Sequence, residues 1–289
     1  MTEGQLSDYA DWIGNQEMTD DQVTASSVAG MSATLDRDDP APLIGDTLPP
    51  LWHLMYFTAK ARQSTLGPDG HPERGGFFPP ISLPRRMFAG AQYRFHQPLR
   101  IGDDITRRGT ICNVTTRQGR SGELIFVKVN YITRTQRGVA LEEDHDIVYR
   151  GKTRDSARVD QPASNEKDKT PAAPWHRTIA PDPVLLFRYS ALTFNGHRIH
   201  YDRPYATDVE GYPGLVVHGP LIATLLLELL RNHQGERPLA SFHFRARRPL
   251  FDTHPFEVTG GPEQDGAAFW LQALDPQGDV AMQAAGTFA

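Results

Sequence analysis

The sequence predicts an α+β fold made twice over, with a helix wrapped by an antiparallel sheet in each half of the chain. Three observations lead there. The run Pro220 to Leu230 is apolar on nearly every side, so it reads as a helix enclosed by protein. Stretches rich in Val, Phe and Trp alternate apolar with polar residues and are separated by turns bearing Gly and Asp, as in hairpins. Pro98 and Pro249, Leu99 and Leu250, and Gly109 and Gly260 each stand 151 positions apart. Three matches at one offset point to an internal duplication.

Taken in order, Leu51 to Phe57 fills the helix position of the first half, with Pro49 or Pro50 near its start. Gln92 to Leu99 leads to Gly102 to Gly109, and after this match come strand-like Thr110 to Val114, a turn at 117–122 and a strand pattern from Leu124 to Tyr131. Thr153 to Pro174 is rich in Asp, Ser, Lys, Pro and Ala with almost no large apolar residue, the composition of a linker. The chain therefore divides into a first domain at 1–152, a linker at 153–174 and a second domain at 175–289. In the second half the helix comes first, then His243 to Leu250 and Phe256 to Gly260. A turn at Gln264-Asp265-Gly266 leads to Ala268 to Leu271, and a turn at 275–278 leads to Val280 to Ala284.

Composition excludes several classes. Hydrophobic residues are 39% and charged residues 22% of the 289, as in a globular protein. No apolar run approaches the roughly 20 residues that span a bilayer, and Met1 to Asp11 is polar and acidic, so a cytoplasmic protein without a membrane partner is expected. A net charge of -5 argues against nucleic-acid binding. The one cysteine, Cys112, excludes an internal disulfide and a cysteine-based metal site, and its strand-like surroundings suggest a buried inert thiol.

The chemistry concentrates between Phe187 and Leu221. Asn195, His197, His200 and Tyr201 fall within a few residues of one another, just ahead of Val217-His218-Gly219-Pro220-Leu221. Imidazoles exchange protons near neutrality, and a Gly-Pro helix start leaves backbone N–H groups free to meet developing negative charge. A base beside such a site is what chemistry next to an acyl carbonyl requires. Each residue also has a plainer reading: Asn195 as a turn residue, Gly219 as a tight-turn glycine, His218 as the residue that fixes that turn. The His197-x-x-His200 spacing raises a metal site, but no acid or third histidine nearby in the sequence completes one, so no metal is expected.

These residues resemble the MaoC-like hot-dog hydratases and dehydratases of acyl thioesters. Ile199-His200 fits the end of that family's motif, Tyr205-Ala206 its spacer and His218-Gly219 its helix start, whereas Asn195 stands at the family's aspartate position and His197 at its asparagine position. The run Ser190 to Asp202 is similar to a sub-group of double hot-dog proteins, the mesaconyl-C4-CoA and itaconyl-CoA hydratases and the mitochondrial 3-hydroxyacyl-thioester dehydratases. Gly75 to Pro80, Leu83 to Met87 and Glu142 to Arg150 support this in the first half. The resemblance implies a double hot-dog fold and reversible addition of water to an enoyl-CoA. His200 would be the base, Asn195 would hold water or substrate, and the Gly219 N–H would meet the thioester oxygen. It further implies substrate binding by His197, Tyr201 and His218. Arg85, Arg86, Arg245, Arg247 and Arg248 are candidates for coenzyme A phosphates or a substrate carboxylate. No cofactor is expected, since coenzyme A arrives with the substrate, and a homodimer is compatible. The first half lacks a counterpart of the segment from Asn195 to His200, so it is expected to complete the tunnel without catalysing.

Overall fold

The computed structural model describes residues 5–6, 9–119, 122–151 and 173–289. Eleven strands form one sheet: β1 (Gln5–Leu6), β2 (Gln16–Gln22), β3 (Arg85–Phe95), β4 (Asp104–Gly119), β5 (Gly122–Thr135), β6 (Gly138–Arg150), β7 (Trp175–Ile179), β8 (Leu239–Ala246), β9 (Phe256–Pro262), β10 (Ala268–Leu274) and β11 (Val280–Phe288). Their order is β1-β4-β5-β6-β3-β8-β11-β10-β9-β7, with β2 also on β4, and every pairing is antiparallel. This is the double hot-dog architecture expected from the sequence.

The two halves join where β3 pairs with β8. Gln92 lies opposite His243, and these two positions are themselves 151 apart, so the pseudo-two-fold relation of the duplication passes through this pair. Alternation along both strands turns Tyr93, Phe242 and Phe244 inward, where the Tyr93 ring stacks on both phenylalanines at 6.2 and 6.3 Å. The linker at 153–174 lies almost wholly outside the described residues, as do Arg120 and Ser121 of the 117–122 turn.

Three α-helices accompany the sheet: α1 (Ala25–Thr34), α2 (Pro183–Leu192) and α3 (Gly219–Gln234). Every residue from Leu221 to Leu230 is buried, each leucine contributing about 1.5–3 kcal/mol of transfer free energy. Gly235 ends α3 with a positive φ of 64, which glycine adopts without strain. Among the described residues the first half has α1 but no counterpart of α3. Its apolar run forms only a 3-10 turn, Trp52–Met55, entered through Leu51 in left-handed conformation. Seven residues carry little helix stability of their own, so packing decides their conformation, and Leu51, Trp52 and Met55 pack into the same core as α3. There the Trp52 indole N–H donates to Glu228 at 3.2 Å.

Cys112 also departs from expectation. It is exposed, because a bulge in β4 between Ile111 and Asn113 turns it out of the alternation that buries Ile111 and Val114. No helix among the described residues is long and apolar enough to cross a membrane.

Candidate active site

The segment from Asn195 to His200 lies between α2 and α3. Asp182 caps α2, its carboxylate accepting from the Leu185 N–H at 2.8 Å, and Pro183 occupies the first turn. The chain leaves α2 through Phe194, at φ 49, and the Asn195 side-chain oxygen accepts from the His197 N–H at 3.0 Å. A 3-10 turn, Arg198–His200, then carries His200 inward.

His200 is buried, and its Nδ1 lies 2.7 Å from the Val216 carbonyl oxygen. A carbonyl only accepts, so Nδ1 carries the proton and Nε2 holds the free lone pair. Burial pushes His200 down to about 3, His197 adds to the effect, and the Val216 bond opposes it. His197 is likewise lowered to about 3 by burial, with the neighbouring His71 acting in the same direction. His218 is lowered well below the usual imidazole range, again by burial first. All three are neutral bases at cellular pH.

The rings form a row. His218 stacks on His200 at 3.7 Å, His197 stands edge-on to His200 at 5.4 Å, and His71 lies 4.2 Å from His197. Ser190 holds one end, its hydroxyl 2.8 Å from His218 Nε2, and Asp69 holds the other, 3.1 Å from His71 Nδ1. Burial works to raise the Asp69 carboxyl, but hydrogen bonds from the His71 side chain and backbone outweigh it and hold it well below the carboxylate range.

Gly219 opens α3 with no side chain capping its N-terminus. A Cβ placed there would meet nothing within 4 Å. Packing therefore does not demand glycine, and the first N–H groups of α3 have no intrahelical partner at the positive end of the helix dipole.

Asn195, His197, His200, His218 and Gly219 all line one cavity of about 590 Å³, which also takes in Asp69 and His71 from the first half. The base and the backbone amide thus share a chamber. Apolar and aromatic side chains, including Leu54, Phe88, Tyr131, Ile222 and Met282, form part of its further lining.

The arginines divide. Arg86 lines the cavity, half-buried, with its guanidinium 4.5 Å from the Phe78 ring and no carboxylate paired to it among the described residues. Arg85 also lines it, but its guanidinium is bound to the carboxylate and carbonyl of Glu210 at 3.1 and 2.7 Å. Arg247 and Arg248 sit among the lining residues, Arg247 held by Gln283 and Arg248 by Asp275 and Asp279. Arg245 is not there. It projects from the exposed face of β8, opposite to Phe244, because neighbours on a strand point to opposite sides. Tyr201 is also misplaced in the sequence reading: it is exposed, donates to the Gly196 carbonyl at 3.0 Å and faces a different depression.

Sequence reasoning missed Asp69 and His71. Pro68-Asp69-Gly70-His71-Pro72 reads only as a turn, and nothing local links it to a segment so far along the chain. Asp69, His71 and His197 present donor atoms within 4.8 Å of one another, so the expectation that no acid or third histidine approaches His197 is corrected. A single cation would fit that spacing, although the Asp69 carboxylate is already engaged by His71 Nδ1.

Comparison with known proteins gives the family. The model of the hydroxyacyl-thioester dehydratase type 2 family matches residues 51–252. The chain belongs to this family. A mesaconyl-C(4)-CoA hydratase of Chloroflexus aurantiacus is 50% identical over 284 residues, covering 96% of this chain and 97% of that protein. The mitochondrial hydroxyacyl-thioester dehydratase type 2 of Schizosaccharomyces pombe is 27% identical over 73% of this chain and 77% of its own. Among solved structures, HtdX of Mycobacterium tuberculosis superposes with a TM-score of 0.63 at 17% identity over 93% of this chain and 98% of that one. A MaoC-like dehydratase of Phytophthora capsici does so at 0.64 and 14%, over 97% and 98%. The family member described here is an enzyme, a hydro-lyase of the MaoC-like double hot-dog type.

Proposed function

We propose that this hydratase adds water reversibly to a C5 dicarboxylic enoyl-CoA, itaconyl-CoA or mesaconyl-C4-CoA, to give citramalyl-CoA, without a cofactor. The observation that carries this is the convergence of His200 and the Gly219 N–H on one cavity, in a chain half identical to a mesaconyl-C(4)-CoA hydratase. His200 Nε2 takes a proton from water as its oxygen bonds to the β-carbon. The displaced π electrons reach the thioester oxygen as an enolate, which the Gly219 N–H and the α3 dipole stabilise. The Asn195 oxygen is committed to the His197 N–H, so its amide N–H₂ is left to hold the water or the acyl group. Arg86 supports a second carboxylate in the substrate, since a guanidinium without an acid partner at a cavity wall suits an anion. Arg150, whose buried Nε has no hydrogen-bond partner on the same cavity, supports it too. This reading sets the enzyme in itaconate-type degradation in the cytoplasm.

The apolar walls favour one alternative, a 3-hydroxyacyl-thioester dehydratase running the same chemistry backwards on longer chains. The deciding experiment is a panel of enoyl-CoA thioesters with and without a terminal carboxylate, following loss of enoyl absorbance and release of free thiol. Fast turnover of the dicarboxylyl members without thiol release is expected. Preference for plain chains would favour the dehydratase. Thiol release would mean a thioesterase, and no turnover an acyl-CoA-binding protein.

A further inference from the structure

We propose that His71, held by Asp69, is a second catalytic group, delivering the proton that the α-carbon receives while His200 removes one from water. The inference rests on the hydration reading above and assigns a chemical step to the first half of the chain.

Hydration moves two protons, one away from water and one onto carbon. His200 serves the first. The position at which the resemblance places a carboxylic acid carries Asn195, and an amide exchanges no proton at cellular pH. The cavity therefore needs another donor, and the loop at 67–72 supplies one. Asp69 takes two hydrogen bonds from His71, one from the backbone N–H at 3.0 Å and one at Nδ1 at 3.1 Å, which fixes the ring and leaves Nε2 to exchange a proton. This carboxylate–imidazole pair lines the same chamber as His200 and Gly219.

Its placement is built in. The Asp69 carbonyl accepts from the Arg198 N–H at 2.9 Å, and the Arg198 guanidinium donates to the Pro68 carbonyl at 2.9 Å. Gly70, at φ 87, touches Gly196 backbone to backbone: a Cβ on Gly70 would overlap the Gly196 carbonyl oxygen, and one on Gly196 would come within 2.9 Å of the Gly70 oxygen. Two glycines and one arginine thus lock the loop onto the segment that carries Asn195, His197 and His200. That contact gives Gly196 and Arg198 of the motif a use beyond their own turn.

The step balances. Water's oxygen bonds to the β-carbon and its proton passes to His200 Nε2. The enolate then takes the proton from His71 Nε2 at the α-carbon and collapses to the hydroxyacyl thioester. His200 is left protonated and His71 neutral, and one proton returns from the first to the second through cavity water, with His197 lying between them.

The test uses the whole enzyme, its best enoyl-CoA from the panel, and the His71→Gln and Asp69→Asn variants, with far-ultraviolet circular dichroism as the fold check. Expected for His71→Gln is a kcat lowered by roughly a hundredfold or more with KM nearly unchanged. Exchange of the product's α-hydrogens with solvent deuterium should be lost in parallel. Asp69→Asn should lower kcat by about tenfold or more with a displaced pH profile, and it serves as the informative variant should His71→Gln not fold. A His71→Gln enzyme with near wild-type kcat and exchange, beside an inactive His200→Gln enzyme, overturns the inference and leaves hydration standing. A wild type that hydrates no enoyl-CoA defeats the underlying reading. Wild type purified with one equivalent of divalent metal that His71→Gln lacks would also overturn it, making Asp69, His71 and His197 a cation site.

Discussion

Acidification should destabilise this fold well before its carboxylates titrate. His197 and His200 stand at about 3 in the folded protein against 6.5 for a free imidazole. Between those values the unfolded chain binds protons that the folded chain refuses, so stability is complete above pH 6.5 and falls as pH drops towards 3. At pH 5.5 each ring costs about 1.4 kcal/mol, and the pair about 2.8 kcal/mol, a sizeable part of a typical net stability of roughly 5–15 kcal/mol. His218 is shifted in the same direction and adds to the loss. Asp69 and Glu143, both held below the carboxylate range, oppose nothing here, because their contribution disappears only at lower pH. Urea unfolding at pH 7.5 and 5.5, for wild type and His197→Gln, measures the effect. The variant should lose about 1.4 kcal/mol less than wild type across that interval. Equal losses in the two proteins, or none in the wild type, would mean that His197 is not held neutral by burial.

Three further outcomes follow from the site. His200→Gln should lower kcat by roughly 10²–10⁴ with an unchanged circular dichroism spectrum; near-normal steady-state rates would remove His200 from the mechanism. Gly219→Ala should fold normally, since its Cβ meets nothing within 4 Å, yet should lower kcat/KM by about tenfold or more by entering the space of the thioester oxygen. An active variant with wild-type parameters would move the oxyanion site elsewhere. Arg86→Ala should weaken dicarboxylyl substrates more than plain acyl ones, while Arg245→Ala, on the exposed face of β8, should leave both unchanged. A uniform loss for Arg86→Ala would assign it to coenzyme A or to the scaffold.

What could be read from the sequence was what is local in it. The α3 helix announces itself through ten consecutive residues that are all buried, from Leu221 to Leu230. The segment from Asn195 to His200 and its Gly219 neighbour lie close enough along the chain for spacing to carry the argument. The 151-residue offset read from Pro98 and Pro249 also relates Gln92 to His243, the pair at the join between halves. Arg245 was legible too, had the alternation of buried Phe242 and Phe244 with exposed His243 been applied to it. Asp69 and His71 were not, because tertiary contacts of their loop with Gly196 and Arg198 bring them in, and backbone contacts of this kind leave no compositional trace. The first-half helix failed for a different reason: seven apolar residues mark burial without specifying conformation, and the core against α3 is filled equally well by one 3-10 turn.

That lost helix bears on how the site came to be shared. In the second half the long connection, 193–218, precedes α3, and only residues 235–238 separate α3 from β8. In the first half the order is reversed, with the long connection, 56–84, lying after the Trp52–Met55 turn and before β3. Two identical subunits could not differ in this way, because any loop reaching into one site would have an equal copy reaching into the other. Once both halves lie in one chain, that constraint is gone. One half can keep the helix N-terminus and His200, while the other forms only the Trp52–Met55 turn and sets its 67–72 loop against Gly196 and Arg198. The Leu54 side chain and the Asp69–His71 pair line the second half's cavity as a result. The asymmetry of the two halves is therefore a condition for a single composite site, and the first half is part of the machinery as well as of the wall.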